Sequence, residues 1–397
     1  MDPFLAAAHR HLPEALDWLQ RMVAVNSFTT HREGVIRLAH LTAECFAGLG
    51  FDAEFVPAAN PAYGEHLFLR RGQGAPVVLV THLDTVFPLE EERRHDFGWR
   101  EEGGRIYGPG TVDNKGGTVL IWLMLRVLQD LQPERFAATS WLIAANAAEE
   151  VVGADFAECT RGRCASGARL VLVFEGGTRD DRGWRVVVAR KGRLEYRLTA
   201  SGRAAHAGSG FGQGINAVVE LAALLPGLAA LSDPARGLTV NVATCRGGTV
   251  LNRVPHEAEA ELEIRAFDPE VLAAAGRAVE ACAGFSPGGA SIGVECLGRT
   301  RAWPGNAATL RLAECWQAAG AELGLAVERE GRGGLSDANY LHDLAPTLDG
   351  LGPAGGNAHC SERSADGSKL PEYVEPDSLA PKVALNLIAL ERWLAIG

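Results

Sequence analysis

The sequence predicts an α/β protein: a mainly parallel sheet with helices on both faces, interrupted by an inserted ferredoxin-like α+β domain. Three observations carry this expectation. The runs 77–80, 141–144 and 170–174 are apolar without alternation, as in strands buried on both faces. A long apolar stretch at 118–131 has helical character and lies between the first two runs, so strands alternate with helices. From about residue 186 to 299 the pattern changes to β-α-β-β-α-β. A chain of 397 residues is long enough for two domains. The expected division is residues 1–185 with 300–397 as one domain and 186–299 as the other.

The elements follow in order. Residues 12–25 space their apolar side chains as an amphipathic helix, and a second helix at 34–49 ends at Gly50. In the inserted part, 186–199 reads as one extended strand and 214–225 as a helix stopped by Pro226-Gly227. Strands at 238–245 and 258–267, a helix at 269–282 and a strand at 291–296 complete it. After Trp303 the α/β pattern resumes, with helices expected at 307–323, 335–342 and 376–394. The run 350–371, rich in Gly, Ser and charge, reads as a loop.

Composition excludes several classes of function. Hydrophobic residues make up 47% and charged residues 22%, ordinary for a folded globular chain. The net charge of −11 argues against nucleic acid or an anionic membrane as the main partner. No segment reaches the roughly 18 consecutive apolar residues of a membrane span, and Met1-Asp2-Pro3-Phe4 lacks the start of a secretion signal. The eight cysteines form no CxxC pair, which excludes a zinc finger and a redox motif and suggests free thiols in a reducing cytoplasm.

The residues that carry chemistry cluster at the ends of the buried strands, where ligands bind in open parallel sheets. His82 follows the first strand, placed as a metal ligand, with Asp84 as its orienting partner. Asp113 sits in the glycine-rich stretch 108–117, where a carboxylate could bridge two cations. This stretch lacks P-loop spacing, and a central Asp would repel phosphate. Glu149 and Glu150 end the second strand; one can ligate while the other acts as general base. Glu175 ends the third strand, and His359 lies in the late loop. His82, Asp113, Glu150, Glu175 and His359 offer N and O donors with no thiolate, a set suited to two divalent metal ions. Zinc fits best, with cobalt or manganese also compatible.

In order along the chain, HLDTV, GPGTVDNKGG, AEE, FEGG, GRAAHAG, GGTVLNRVP, GGLSDANY and GGNAH resemble the motifs of the M20 metallopeptidase family, in its carboxypeptidase G2-like branch. The resemblance implies His82 and Glu175 on one metal, Glu150 and His359 on the other, Asp113 as bridge and Glu149 as base. It also implies that the Asp113–Asn114 peptide is often cis. It reads the inserted domain as a lid and dimerisation domain whose His206 reaches an active site, often the partner subunit's, to bind the oxyanion. Asn252 and Arg265 match substrate-binding positions, Arg265 as a two-point anchor for a carboxylate. Glu175 favours the carboxypeptidase and deacylase side of the family. Residues 360–371 depart from the pattern, since they separate His359 from Glu372-Tyr373-Val374. The remaining histidines read as surface or structural.

The expected function is therefore metal-dependent hydrolysis of an amide bond by a cytoplasmic homodimer, releasing a C-terminal amino acid from a small peptide or N-acyl amino acid. Dipeptidases, desuccinylases and deacetylases of the same family are alternatives. A non-catalytic binding protein on this scaffold would have no need of Glu149, and a nucleotide enzyme would be disfavoured by the acidic site.

Overall fold

The computed structural model describes residues 2–151 and 153–396. The chain forms two compact units: Met1–Val188 with Gly305–Glu330 and Ser336–Gly397, and Ala189–Pro304 with Gly331–Leu335. The division thus falls a few residues later than the sequence pattern suggests, and a short return segment at Gly331–Leu335 joins the second unit.

The large unit is built on a six-stranded sheet in the order Asp52–Pro57, Glu65–Arg71, Trp141–Asn146, Val77–His82, Leu170–Val173, Thr347–Leu348. The first two pairings are antiparallel and the other three parallel. The three runs read from the sequence are the three central strands, and every residue in them is buried. Val77 and Leu79 join the main apolar cluster under the helices Pro3–Val23, Lys115–Leu131 and Leu379–Ile396. Val78 and Val80 point to the opposite face and are equally buried. On that face Phe68 stacks on Phe156 of helix Ala154–Arg163 at 5.9 Å. Burial on both faces explains why these strands show no alternation.

The register decides where the chemistry goes. His82 pairs with Asn146, and Val80 with Val173. The residues just past these strands, Asp84, Glu149 with Glu150, and Glu175, therefore leave from one rim of the sheet.

The small unit carries an antiparallel sheet in the order Thr239–Gly247, Glu257–Ala266, Gly192–Ser201, Ser291–Thr300, Gly284–Phe285. With helices Ala217–Ala229 and Pro269–Glu280 this is the expected ferredoxin-like order, with the two-residue strand added. Each helix has a side-chain cap: Asn216 accepts from Val218 and Val219, and Asp268 from Glu270 and Val271. Leu194, Tyr196, Leu198 and Ala200 are buried beneath the helices. The alternate residues face outward into a charge ladder in which Arg197 pairs with Glu261 at 2.9 Å.

Four expectations are corrected. The first helix begins at Pro3 rather than residue 12, because Asp2 caps it by accepting from Leu5 at 3.0 Å and Phe4, Ala7 and Ala8 continue the buried face. Pro226 lies inside helix Ala217–Ala229. The carbonyl that its missing N–H leaves free belongs to the exposed Ala222, where water can serve it. The single strand expected at 186–199 is two, Gly183–Arg190 and Gly192–Ser201. At the bend a side chain on Gly192 would come within 2.5 Å of the Ala302 amide nitrogen, so only glycine fits. The helix expected at 335–342 is only Ala338–Leu341.

Leu79 is completely buried at the centre of the sheet. Leu79→Ala should lower stability by about 2–5 kcal/mol. Urea unfolding of the purified protein measures this, and a loss below 1 kcal/mol would place the core elsewhere.

Candidate metal centre

The strand rim and two loops bring His82, Asp84, Asp113, Glu149, Glu150, Glu175 and His359 together within the large unit. His82 leaves the first strand fully buried. Its Nδ1 lies 3.0 Å from the backbone carbonyl oxygen of Asp84 and 3.4 Å from that residue's carboxylate. Donation from Nδ1–H to the carbonyl leaves Nε2 as a lone pair, and this nitrogen lies 3.0 Å from Asp113 Oδ1. Two lone pairs facing each other at that distance need a proton or a metal ion between them.

The other side of Asp113 repeats the arrangement. His359 Nε2 is 3.2 Å from Asp113 Oδ2 and 3.2 Å from Glu150 Oε2. Glu175 Oε1 is 3.8 Å from His82 Nε2 and accepts a hydrogen bond from Asn114 at 3.3 Å. Asp113 thus presents one oxygen to each imidazole, with Glu175 on the His82 side and Glu150 on the His359 side.

The donors fit cations. Two ligand atoms about 2.1 Å from a tetrahedral ion stand roughly 3.4 Å apart, near the 3.0–3.2 Å separations seen here. Donor atoms of His82, Asp113 and Glu150 all lie within 4.8 Å of one another. Glu150 Oε1 is buried without a hydrogen-bond partner, an oxygen that a cation would satisfy.

Asp84 organises the acidic turn. Its Oδ1 accepts from the Glu149 amide at 3.0 Å and its Oδ2 from the Glu150 amide at 3.2 Å and Thr29 Oγ1 at 2.7 Å. Asp84 thereby aims both glutamates, a contact beyond its expected role on His82. On the other side of the turn, Asn146 Oδ1 accepts from the Ala148 amide and Asn146 Nδ2 donates to Asp337 at 2.9 Å. His66, expected to be surface or structural, is buried and accepts from the Ala147 amide at 3.1 Å.

The loop bearing Asp113 is shaped by its glycines. A Cβ on Gly117 would lie 1.9 Å from Asn114 Oδ1 and 2.2 Å from the Phe174 carbonyl oxygen. The Asp113–Asn114 peptide is cis. His359 occupies the left-handed region at φ 65°, which few residues other than glycine adopt. The segment 361–371 leaves and returns at one point, because the Glu372 amide donates to the Cys360 carbonyl at 2.7 Å. The added residues therefore close on themselves beyond His359.

The charges are strongly coupled. Burial alone would lower the His82 imidazole, but the Glu175 charge and hydrogen bonds to Asp113 and Asp84 hold it well above its usual range. Hydrogen bonds to Asp113 and Glu150 push His359 up to about 10. Burial opposes ionisation of Asp113, yet hydrogen bonds from His359 and His82 hold it well below the usual carboxylate range. Burial raises Glu149 and Glu150, and pushes Asp337 up to about 7 and Glu372 up to about 8. Negative charge is in excess here, and cations would relieve it.

His206, Asn252 and Arg265 lie in the small unit. His206 is exposed, and its Nδ1 accepts from the amides of Gly208 and Ser209, each at 3.1 Å. With Nδ1 accepting, Nε2 is the ring nitrogen left to donate. Asn252 is exposed beside it, its carbonyl accepting from Ala207 at 2.9 Å. Arg265 already engages Glu263 through Nε and Nη2, at 3.0 and 3.1 Å, and the Gly333 carbonyl through Nη1 at 3.0 Å. Of its five N–H groups, these bonds leave one on each terminal nitrogen.

Comparison with known proteins bears on both units. Residues 188–284 match a peptidase dimerisation domain of the M20 type. The chain is homologous to carboxypeptidase G2 of Pseudomonas sp. (strain RS-16), with 25% identity over 279 residues. The match covers 69% of this chain and 65% of that protein, so just under two thirds of the relative's length is spanned. Among solved structures, aminopeptidase PepT from Bacillus cereus ATCC 10987 aligns with a TM-score of 0.76 at 20% identity, over 96% of this chain and 99% of that one. The M20 family metallo-carboxypeptidase Sso-CP2 from Sulfolobus solfataricus aligns at 0.71 and 16% identity, again over 96% and 99%. These two structures establish the shared fold. The M20 likeness of the motifs is thus met in sequence by the dimerisation domain and carboxypeptidase G2, and in fold by nearly the whole chain.

The pKa shifts predict how metal-free protein responds to pH. Glu149, Glu150, Asp337, Glu372 and His359 all hold protons more tightly in the folded chain. Their stabilising contribution is complete below their unfolded pKa values and is lost as pH rises through the folded ones. The lowered carboxylates Asp113 and Asp155 act in the opposite sense only below about pH 4. Chelator-stripped protein should therefore melt at a lower temperature at pH 8 than at pH 5, and divalent metal should remove the difference. A melting temperature that is flat or rising over this interval without metal would contradict the charge arrangement.

Proposed function

We propose that this chain, an M20-type metallohydrolase by homology, hydrolyses an amide bond and releases an amino acid with a free carboxylate. The observation that carries the reading is Asp113 with an imidazole on each carboxylate oxygen and Glu149 beside the cluster. His82, Glu175 and one Asp113 oxygen would hold one divalent cation, and Glu150, His359 and the other Asp113 oxygen a second. Zinc suits this donor set, and cobalt or manganese fit it as well. Bound cations would supply a water of lowered pKa and polarise the scissile carbonyl.

The chain's own residues do the rest. Glu149 takes the proton of the attacking water and returns it to the leaving amine. Its raised affinity for protons, caused by burial, suits a group that must both accept and release one. Asp84 holds the Glu149 backbone in place through its amide. His206 presents Nε2–H to the developing oxyanion, Asn252 lines the same binding region, and the two remaining N–H groups of Arg265 anchor the carboxylate of the released amino acid. A carboxypeptidase and an N-acyl amino acid amidohydrolase share this apparatus and differ on the acyl side.

The protein acts as a homodimer, with His206 serving the partner subunit's site. Helix Ala217–Ala229 carries Val219, Ala222, Ala223 and Ala229 on an exposed apolar face. The strand Thr239–Gly247 is at the sheet edge, paired on one side only among the described residues. A second copy would cover both. A cytoplasmic location accords with eight unpaired cysteines. No helix of the described residues is long and apolar enough to cross a membrane.

Gently purified protein is expected to hold about two transition-metal ions per chain. Glu149→Gln should keep that metal while kcat falls roughly 10²–10⁴-fold or more, read on a panel of N-acyl amino acids and dipeptides. Absence of metal, with no activity gained from zinc, cobalt or manganese, rejects the hydrolase; normal turnover in the variant places the base elsewhere. Mixing inactive His206→Ala chains with inactive Glu149→Gln chains should restore part of the activity, since a mixed dimer has one complete site. No recovery despite demonstrated subunit exchange would mean that each chain completes its own site.

A further inference from the structure

The loops carrying Asp113 and His359 are far apart in sequence, and one residue outside the ligand set touches the backbone of both. Glu372 is fully buried. Its Oε1 accepts from the amides of Val112 at 2.9 Å and Asp113 at 3.0 Å. Its own amide donates to the carbonyl of Cys360, the residue after His359, at 2.7 Å, and its carbonyl accepts from Gly108 at 3.3 Å. The strand that follows, Tyr373–Val374, pairs with Arg105–Tyr107 on one side and Gly355–Gly356 on the other. Each of these partners leads directly into one of the two loops.

We propose that Glu372 is a positioning residue that fixes the Asp113 loop against the His359 loop, so that both imidazoles meet the two oxygens of one carboxylate. This rests on the two-metal reading above. Two backbone amides converge on one carboxyl oxygen, Oε1, which can accept both. The amide of Asp113 itself is one of them, so the bond acts on the bridging residue without an intermediary. The backbone bond to Cys360 also closes the base of the 361–371 segment, so the length of that segment need not disturb His359.

The test compares Glu372→Ala and Glu372→Gln with wild type in the full chain. Zinc affinity is measured by chelator competition, and amide hydrogen exchange on metal-free protein. Glu372→Ala should weaken zinc binding by about 10–100-fold, the size seen when outer supports of metal ligands are removed. Exchange should rise together at 108–113 and 355–361 while strand Val77–His82 stays protected. Glu372→Gln keeps an acceptor oxygen, so it should return affinity and exchange to near the wild-type values, the rescue expected of a positioning acceptor. If the alanine variant fails to fold, Glu372→Met, which keeps most of the side-chain volume but has no oxygen, decides: unchanged exchange in both loops overturns the proposal. Wild-type affinity in a folded Glu372→Ala, or exchange rising evenly across the large unit, also overturns it. Failure of the wild type itself to bind zinc, cobalt or manganese overturns instead the two-metal reading, and the metal-free exchange result still decides the role of Glu372.

Discussion

The constraint on which the rest of the large unit depends is excess negative charge in a buried place. Asp84, Asp113, Glu149, Glu150, Glu175 and Asp337 crowd one rim of the sheet, with the imidazoles of His82 and His359 as the cationic groups among them. Buried charges are tolerated only when paired or well hydrogen-bonded. Asp84 meets that condition with two amides and a threonine hydroxyl. Asp113 meets it with two imidazoles, which is why its pKa falls while those of Glu149 and Glu150 rise. The glutamates are the groups left short of positive charge, and they are the ones to which the proposed mechanism gives the work of ligating and of moving a proton.

A parallel sheet is a direct way to build such a cluster. Strands running the same way deliver their following residues to the same edge, and the register between Val77–His82 and its two neighbours brings three acidic turns within reach of His82. The sheet alone does not complete the centre. Asp113 and His359 arrive on loops, and loops need their own supports. These are the crowded glycines after Asp113, the left-handed backbone at His359, and the small sheet that joins Arg105–Tyr107, Tyr373–Val374 and Gly355–Gly356.

This division also explains what the sequence made legible. Strands buried on both faces leave unbroken apolar runs, so the three central strands could be read with their ends, and with them the acidic turns. The edge strand Asp52–Pro57 and its neighbour Glu65–Arg71 were missed because one is mostly exposed and the other mixes charged ends with a buried middle. The single strand expected at 186–199 hid a bend set by the Ala302 backbone, which no local pattern reveals. Asp337 and Glu372 escaped for a related reason. Asp337 receives its bond from a residue 191 positions away, and Glu372 its bonds from residues 260 and 259 positions away. Their neighbourhoods in sequence show ordinary polar residues. The only signal was that each lies in a stretch already marked as resembling the family, Asp337 in GGLSDANY and Glu372 just before Tyr373-Val374.

The small unit solves a different electrostatic problem. The amides of Gly208 and Ser209 both point at His206 Nδ1, which makes this nitrogen the ring's acceptor and leaves Nε2 to donate. In the proposed mechanism a donor so placed gains more from an oxygen that acquires charge than from a ground-state carbonyl, the kind of differential interaction that lowers a barrier. The large unit concentrates negative charge that cations must balance, while the small unit offers a donor whose tautomer is set by two backbone amides in its own loop and therefore needs no charged partner to maintain it.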